Sequence, residues 1–148
     1  MKLAKVSFSF ADRKFTYPQK NYLKAFVGTI LEQENRRLSE LTYVFCSDEY
    51  LLQINKDFLQ HDYYTDIITF DLSASKEEIS GEIYLSLDRV KDNALALGVG
   101  YQQELLRVIF HGALHLCGYK DKKKSEITEM RNREEHYIRL YEQTLPNK

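Results

Sequence analysis

The sequence predicts an α+β fold: a mixed sheet of about four strands packed with about five helices in one domain. Three observations carry that expectation. Short β-forming stretches, either alternating or continuously apolar, take turns with longer stretches whose apolar residues recur every three or four positions. The 148 residues are 43% hydrophobic and 29% charged, the balance of a globular chain with one core, so 1–148 reads as a single domain. No repeat, low-complexity tract or Pro/Gly-rich linker divides the chain, and its two prolines lie near the ends.

The elements follow in order. Lys5 to Phe10 alternates, with Val6, Phe8 and Phe10 on one side, as a half-exposed strand does. After Pro18, the residues Tyr22, Leu23, Phe26, Val27, Ile30 and Leu31 share one helical stripe, which fades into Glu34, Asn35 and the Arg36-Arg37 pair. Leu41 to Cys46 is apolar on both faces and rich in β-formers, as a central strand is. A short helix over Asp48 to Asn55 comes next. Two further strands, Thr65 to Asp71 and Glu82 to Ser86, flank a polar loop from Ser73 to Ser80, a spacing that suits an antiparallel hairpin.

Ser86 is a good N-cap for a helix carrying Leu87, Val90, Ala94 and Leu97, and Gly98 can end it. Gln102 to Cys117 is apolar almost all round and is expected to be buried, with Gly118 placed for a left-handed cap. The last helix starts near Ser125 and is expected to turn Ile127, Met130, Tyr137, Ile138 and Tyr141 inward. Alternation alone leaves open whether the first strand pairs parallel or antiparallel.

Composition narrows the function. A formal net charge of -1 gives no general affinity for nucleic acid, so any grip on phosphates must come from a local patch. No apolar run reaches the ~20 residues that span a bilayer, and the N-terminus, with Lys2 and Lys5, has no apolar segment ending in a cleavage site. A cytoplasmic location is the default expectation, without a membrane partner. Cys46 and Cys117 form no C-x-x-C pair and read as buried free thiols.

His111 and His115 lie four apart on the apolar helix, ~40° apart around its axis, so both imidazoles leave one face. That spacing lets two ring nitrogens reach one metal at ~2.0–2.1 Å. Asp121 is the first residue able to act as a third ligand in the loop that Gly118 can reverse. Two histidines and a carboxylate leave a coordination position open to water, as in catalytic zinc sites. Cys117 is a poor ligand because it lies ~200° around the helix from His115. The competing reading is a histidine pair hydrogen-bonded in the core; against it stand the apolar helix, the glycine and the carboxylate three residues later. The metalloprotease pattern H-E-x-x-H does not apply, since Gly112 occupies the position of the glutamate base. Lys120, Lys122, Lys123 and Lys124 beside the site are either a solvated loop or a positive patch suited to a phosphodiester backbone.

The string His111-Gly112-Ala113-Leu114-His115-Leu116-Cys117-Gly118-Tyr119 resembles the signature of the YbeY-type bacterial rRNA maturation factors, single-strand-directed, zinc-dependent endoribonucleases. There the string continues Asp-His, and that histidine is the third ligand; here Lys120-Asp121 follows, which aligns an aspartate with the ligand position. Thr65-Asp66-Ile67-Ile68-Thr69-Phe70 is similar to the family's Thr-Asp-Val-Leu-Ser-Phe strand, and Gly81-Glu82-Ile83 to its Gly-Asp-Ile strand. Met130 and the charged residues after it fit its last helix. The resemblance covers most of the chain beyond about Leu41. One departure stands out: the family's arginine after an aromatic residue, implicated in activity, aligns with Leu59 after Phe58. Lys56, His61 and the lysine run are the cations that could substitute.

The resemblance implies a metal-dependent hydrolase holding one Zn2+ through His111, His115 and Asp121. It implies cleavage of single-stranded RNA during rRNA processing and ribosome maturation, with ribosomal subunit proteins as partners. Asp66 and Glu82 are candidates for a general base or for supporting a ligand, against the reading that both are ordinary strand-end carboxylates. The rivals are a non-catalytic ribosome-assembly factor with a structural metal and a metal hydrolase of another substrate.

Overall fold

A computed structural model describes residues 5–61 and 64–146. Lys2, and the middle of the loop preceding the Thr65 strand, lie outside the described residues. The order of elements is β1 (Val6–Phe10), α1 (Lys20–Gln33), β2 (Arg37–Cys46), α2 (Asp48–Ile54), a π-helical turn (Asn55–Leu59), β3 (Ile67–Asp71), β4 (Glu78–Ser86), α3 (Leu87–Leu97), α4 (Tyr101–Leu116) and α5 (Lys124–Thr144).

The four strands form a mixed sheet in the order β1-β2-β4-β3. β1 runs parallel to β2 and β2 parallel to β4, while the β3–β4 pair is antiparallel. The direction of β1 is thereby settled as parallel, and Leu41 to Cys46 does lie in a central strand. That strand is longer than its apolar stretch suggests. Arg37 belongs to β2, in register with Glu78 of β4, because the ladder with β4 continues past Leu41, where the pairing with β1 stops. β4 correspondingly starts at Glu78, which shortens the polar loop expected up to Ser80.

One face of the sheet carries the main core. Leu41, Tyr43 and Phe45 of β2 and Ile79, Ile83 and Leu85 of β4 meet Leu23, Phe26, Val27, Ile30 and Leu31 of α1 and the apolar side of α4. α4 approaches very closely: a Cβ at Gly112 would stand 2.8 Å from Ile67 Cδ1 and 3.0 Å from Ile83 Cδ1. Position 112 therefore has no room for the glutamate of an H-E-x-x-H helix. Tyr43 Oη, buried, donates to the Ile109 carbonyl at 2.8 Å and fastens the helix to β2. On the other face Cys46, Leu51 and Ile68 form a small second cluster under α2.

α5 covers the core with Met130, Tyr137, Ile138 and Tyr141, as expected, but Ile127 is 42% exposed. It sits in the first turn, before the helix reaches its neighbours. The inward positions run from Met130 and include Glu134.

Candidate metal centre

The site begins with the way α4 ends. Gly118, at φ +107°, lets the chain reverse: its N–H donates to the His115 carbonyl at 3.0 Å, and Tyr119 N–H donates to the Leu114 carbonyl at 3.1 Å. These two bonds are a Schellman cap. They fold the next loop back over the histidine face and bring Asp121 to it. Arg36 Nη2 donates to the Cys117 carbonyl at 2.6 Å. Tyr119 Oη donates to Glu34 at 2.9 Å, and Glu34 also receives Arg133 and Tyr137 of α5. The loop is thus tied to the end of α1 and to α5.

His111 Nε2 lies 3.1 Å and His115 Nε2 3.4 Å from the same Asp121 oxygen, Oδ2. One donor atom from each of the three residues falls within 4.8 Å of the others, the convergence that one small cation requires. The imidazoles meet edge to face with centroids 4.5 Å apart. Side-chain exposure rises from 14% at His111 to 25% at His115 and 37% at Asp121, so the cluster opens outward at the aspartate. Two neutral nitrogens and one carboxylate oxygen suit a divalent ion of borderline softness.

Both rings are held from behind. His111 Nδ1 lies 2.5 Å from Glu134 Oε2, and His115 Nδ1 lies 3.0 Å from the Tyr119 carbonyl. This leaves both Nε2 atoms facing Asp121. Burial alone would raise the Glu134 carboxyl, but hydrogen bonding from His111 and the charges of His111 and Arg107 pull it below its ordinary value.

The other sequence candidates separate. Asp66 stands just before β3 and receives Asn93 of α3 at 3.4 Å. Burial raises its carboxyl above the ordinary value, opposed by the nearby charges of His111 and Arg107, so Asp66 lies within electrostatic reach of the cluster. Glu82 does not. It alternates with Gly81 and Ile83, which face α4, and so lines a cleft on the opposite sheet face with Tyr50, Phe58, Phe70 and Tyr84. Its carboxylate accepts from Tyr84 Oη at 3.2 Å.

Lys120, Lys122, Lys123 and Lys124 are all exposed around Asp121, in the loop that leads into α5 and at its first residue. The backbone N–H groups of Lys122 and Lys123 donate to Glu126 Oε1 at 3.2 and 2.9 Å. Leu59 ends the π-helical turn, 41% exposed, beside a Phe58 that is 69% exposed. Cys117 is a free buried thiol, pushed up to about 12 by desolvation and by the charge of Glu34, and so stays protonated. Cys46 is likewise free and buried.

Sequence reasoning missed Glu134, Glu104 and Arg107. Positions 104, 107, 111 and 115 form a polar stripe along an otherwise apolar α4, a periodic signal that was available. Glu134 is likewise a charged residue on the inward stripe of α5.

Comparison with known proteins agrees with this architecture. The family model described as endoribonuclease YbeY matches residues 7–142. A Cytophaga hutchinsonii protein named endoribonuclease YbeY is 48% identical over 140 residues, 95% of this chain and 98% of its own. One from Porphyromonas gingivalis with the same name is 40% identical over 143 residues, covering 97% of this chain and 94% of its own. The solution structure of TM1509 from Thermotoga maritima shares the fold with a TM-score of 0.62 at 23% identity, covering 95% of this chain and 99% of that one. By a family match spanning nearly its whole length, the chain belongs to the endoribonuclease YbeY family.

Proposed function

We propose that this protein is a zinc-dependent endoribonuclease that cuts single-stranded RNA in the cytoplasm during rRNA processing and ribosome maturation, on substrates bearing ribosomal proteins. The observation that carries the reading is the convergence of His111, His115 and Asp121 at an outward-opening site, in a chain whose relatives are named for RNA cleavage.

The chemistry follows from the donors. A zinc ion bound there supplies a water acidified toward ~7 and a Lewis acid for a phosphoryl oxygen. His111 and His115 present Nε2, and Asp121 contributes a charge that makes the site selective for a cation. Asp66, its carboxyl raised by burial, is the group suited to accept a proton at its oxygens and pass it on. The exposed lysines from Lys120 to Lys124 supply the positive patch that a chain of net charge -1 needs in order to hold phosphates. Glu82, on the far sheet face, takes no part in the chemistry.

Elemental analysis of native protein purified without chelator or histidine tag, beside Asp121→Ala, tests the metal. About one zinc per chain, falling sharply in the variant, is the expected result. A cleavage assay on single-stranded RNA then tests the activity, and a zinc-loaded protein that cuts no RNA refutes it. One observation favours a second reading, a non-catalytic ribosome-assembly factor. Where the family pattern places an arginine to clamp phosphate, this chain exposes the apolar Leu59. Under that reading His115→Ala unfolds the protein, whereas under the first it leaves a folded protein without activity.

A further inference from the structure

We propose that Glu134 is the positioning residue of this centre. Its buried carboxylate, locked by Arg107, holds His111 in the tautomer that offers Nε2 to a cation. The proposal rests on the metal reading of His111, His115 and Asp121.

Glu134 is 1% exposed, as is Glu104, so neither carboxylate is stabilised by bulk water. Arg107 links them. Its Nε donates to Glu104 Oε1 at 3.0 Å and its Nη1 to Glu134 Oε1 at 3.1 Å. Arg131 adds a longer contact to the same Glu134 oxygen at 3.4 Å. With Oε1 committed to guanidinium donors, Glu134 stays ionised and acceptor-only. Oε2 faces His111 Nδ1 at 2.5 Å. A carboxylate faces each ring nitrogen, but Glu134 Oε2 at 2.5 Å is nearer to Nδ1 than Asp121 Oδ2 at 3.1 Å is to Nε2, so the one proton of the neutral ring sits on Nδ1. Nε2 then keeps its lone pair and points toward Asp121.

The polar stripe of α4 thus has a direction. Glu104 fixes Arg107, Arg107 fixes Glu134, and Glu134 fixes the ring of His111. Among the described residues His115 has no such arrangement: its Nδ1 meets the neutral Tyr119 carbonyl. A carboxylate partner makes an imidazole a stronger donor than a carbonyl partner does. His111 is therefore the tighter of the two nitrogen ligands, and Glu134 is the cause.

An isosteric variant separates positioning from packing. In Glu134→Gln the amide oxygen must face Arg107, which has only donors, so the amide NH2 faces His111. Nδ1 then becomes the acceptor, the proton moves to Nε2, and the metal-facing lone pair is lost. Imidazole 15N NMR of the metal-free protein, with both rings neutral, reads the tautomer. Competition with a chromophoric chelator reads zinc affinity.

The expected result is Nδ1–H at His111 in the wild type, Nε2–H in Glu134→Gln, and a 10- to 100-fold loss of zinc affinity in the variant. Glu135→Gln, exposed and one residue along, should match the wild type in both readouts. Nε2–H in the wild type, or unchanged tautomer and affinity in a folded Glu134→Gln, overturns the proposal. Because the wild-type tautomer is measured without metal, it decides the proposal even if the variant does not fold. A wild type with Nδ1–H that nevertheless takes up no zinc overturns the metal reading instead.

Discussion

Replacing Gly118 by alanine isolates the turn on which the proposed metal centre depends. A Cβ there would find Arg36 Nη2 at 3.6 Å and no nearer atom, an ordinary contact, so overlap contributes little. The cost is conformational. At φ +107° an L-residue is strained by about 1–2 kcal/mol, and the lower entropy of unfolded alanine returns roughly 0.4–1 kcal/mol. The net loss is about 1 kcal/mol, or about 4 °C in the melting temperature of a chain this size. The Tyr119 carbonyl that holds His115 is set by the same turn, so zinc affinity should fall about tenfold as well. Two controls give the comparison its meaning. Gly98→Ala meets the milder strain of the left-handed well at φ +69°, with nothing within 4 Å, and should lose some stability without touching zinc binding. Gly28→Ala, inside α1 and 3.9 Å from Leu38 Cδ2, should stabilise by about 0.5–1 kcal/mol. Circular-dichroism melts of metal-free protein and chelator competition give both numbers. If Gly118→Ala binds zinc as well as Gly98→Ala does, the turn does not hold His115 in place and the argument fails.

Other perturbations have equally definite outcomes. Removing zinc with a chelator should leave the fold intact, because the core does not pass through the site, while lowering stability by about 2.7 kcal/mol relative to protein at 100 times Kd; far-ultraviolet circular dichroism would expose the contrary result, loss of structure. Tyr43→Phe deletes the bond to the Ile109 carbonyl and should cost about 1 kcal/mol in urea unfolding. For Glu34, burial alone would raise the carboxyl, but hydrogen bonds from Tyr137, Arg133 and Tyr119 hold it below its ordinary value. Its contribution is therefore present above the unfolded glutamate pKa of about 4.3 and lost as pH falls through the folded one. Glu34→Gln should accordingly flatten the fall in stability on acidification from neutral pH, and an unchanged slope would count against that sign.

How much of this was legible in the sequence depends on the range of the interaction involved. Helix α3 was readable end to end because both its signals are local: Ser86 accepts from Arg89 N–H, and Gly98 adopts a left-handed φ. The histidine pair was equally plain, since spacing along one helix is enough to put two rings on one face. Ile127 was misplaced because periodicity names a stripe but not where along it the neighbours begin. The antiparallel hairpin was inferable from loop length, whereas the parallel direction of β1 was not. That direction depends on a long crossover through α1, and alternation carries no polarity. The supports of the two histidines divide in the same way. Tyr119 stands four residues from His115 and could be reached from the reading of Gly118. Glu134 is 23 residues from His111, and its role appears only when α5 lies against α4.

The arrangement of charge around the site offers the proposed activity a way for a chain of net charge -1 to engage a polyanion. The acidic groups that build the centre are directed inward. Glu104 and Glu134 are buried and share the guanidinium of Arg107, and Glu34 is occupied by Arg133 and two tyrosine hydroxyls. The lysines from Lys120 to Lys124 remain at the rim, exposed. On the proposed reading, an approaching phosphodiester meets lysine charge first and Asp121 only at the cation it would help to hold. This arrangement predicts a salt-sensitive step. Each lysine that contacts a phosphate contributes about 0.7 to the slope of log affinity against log salt for single strands. Replacing Lys122, Lys123 and Lys124 together by glutamine should lower the slope by up to about 2 and leave zinc content unchanged. An unaltered slope, with weakened binding, would move the phosphate contacts elsewhere on the surface.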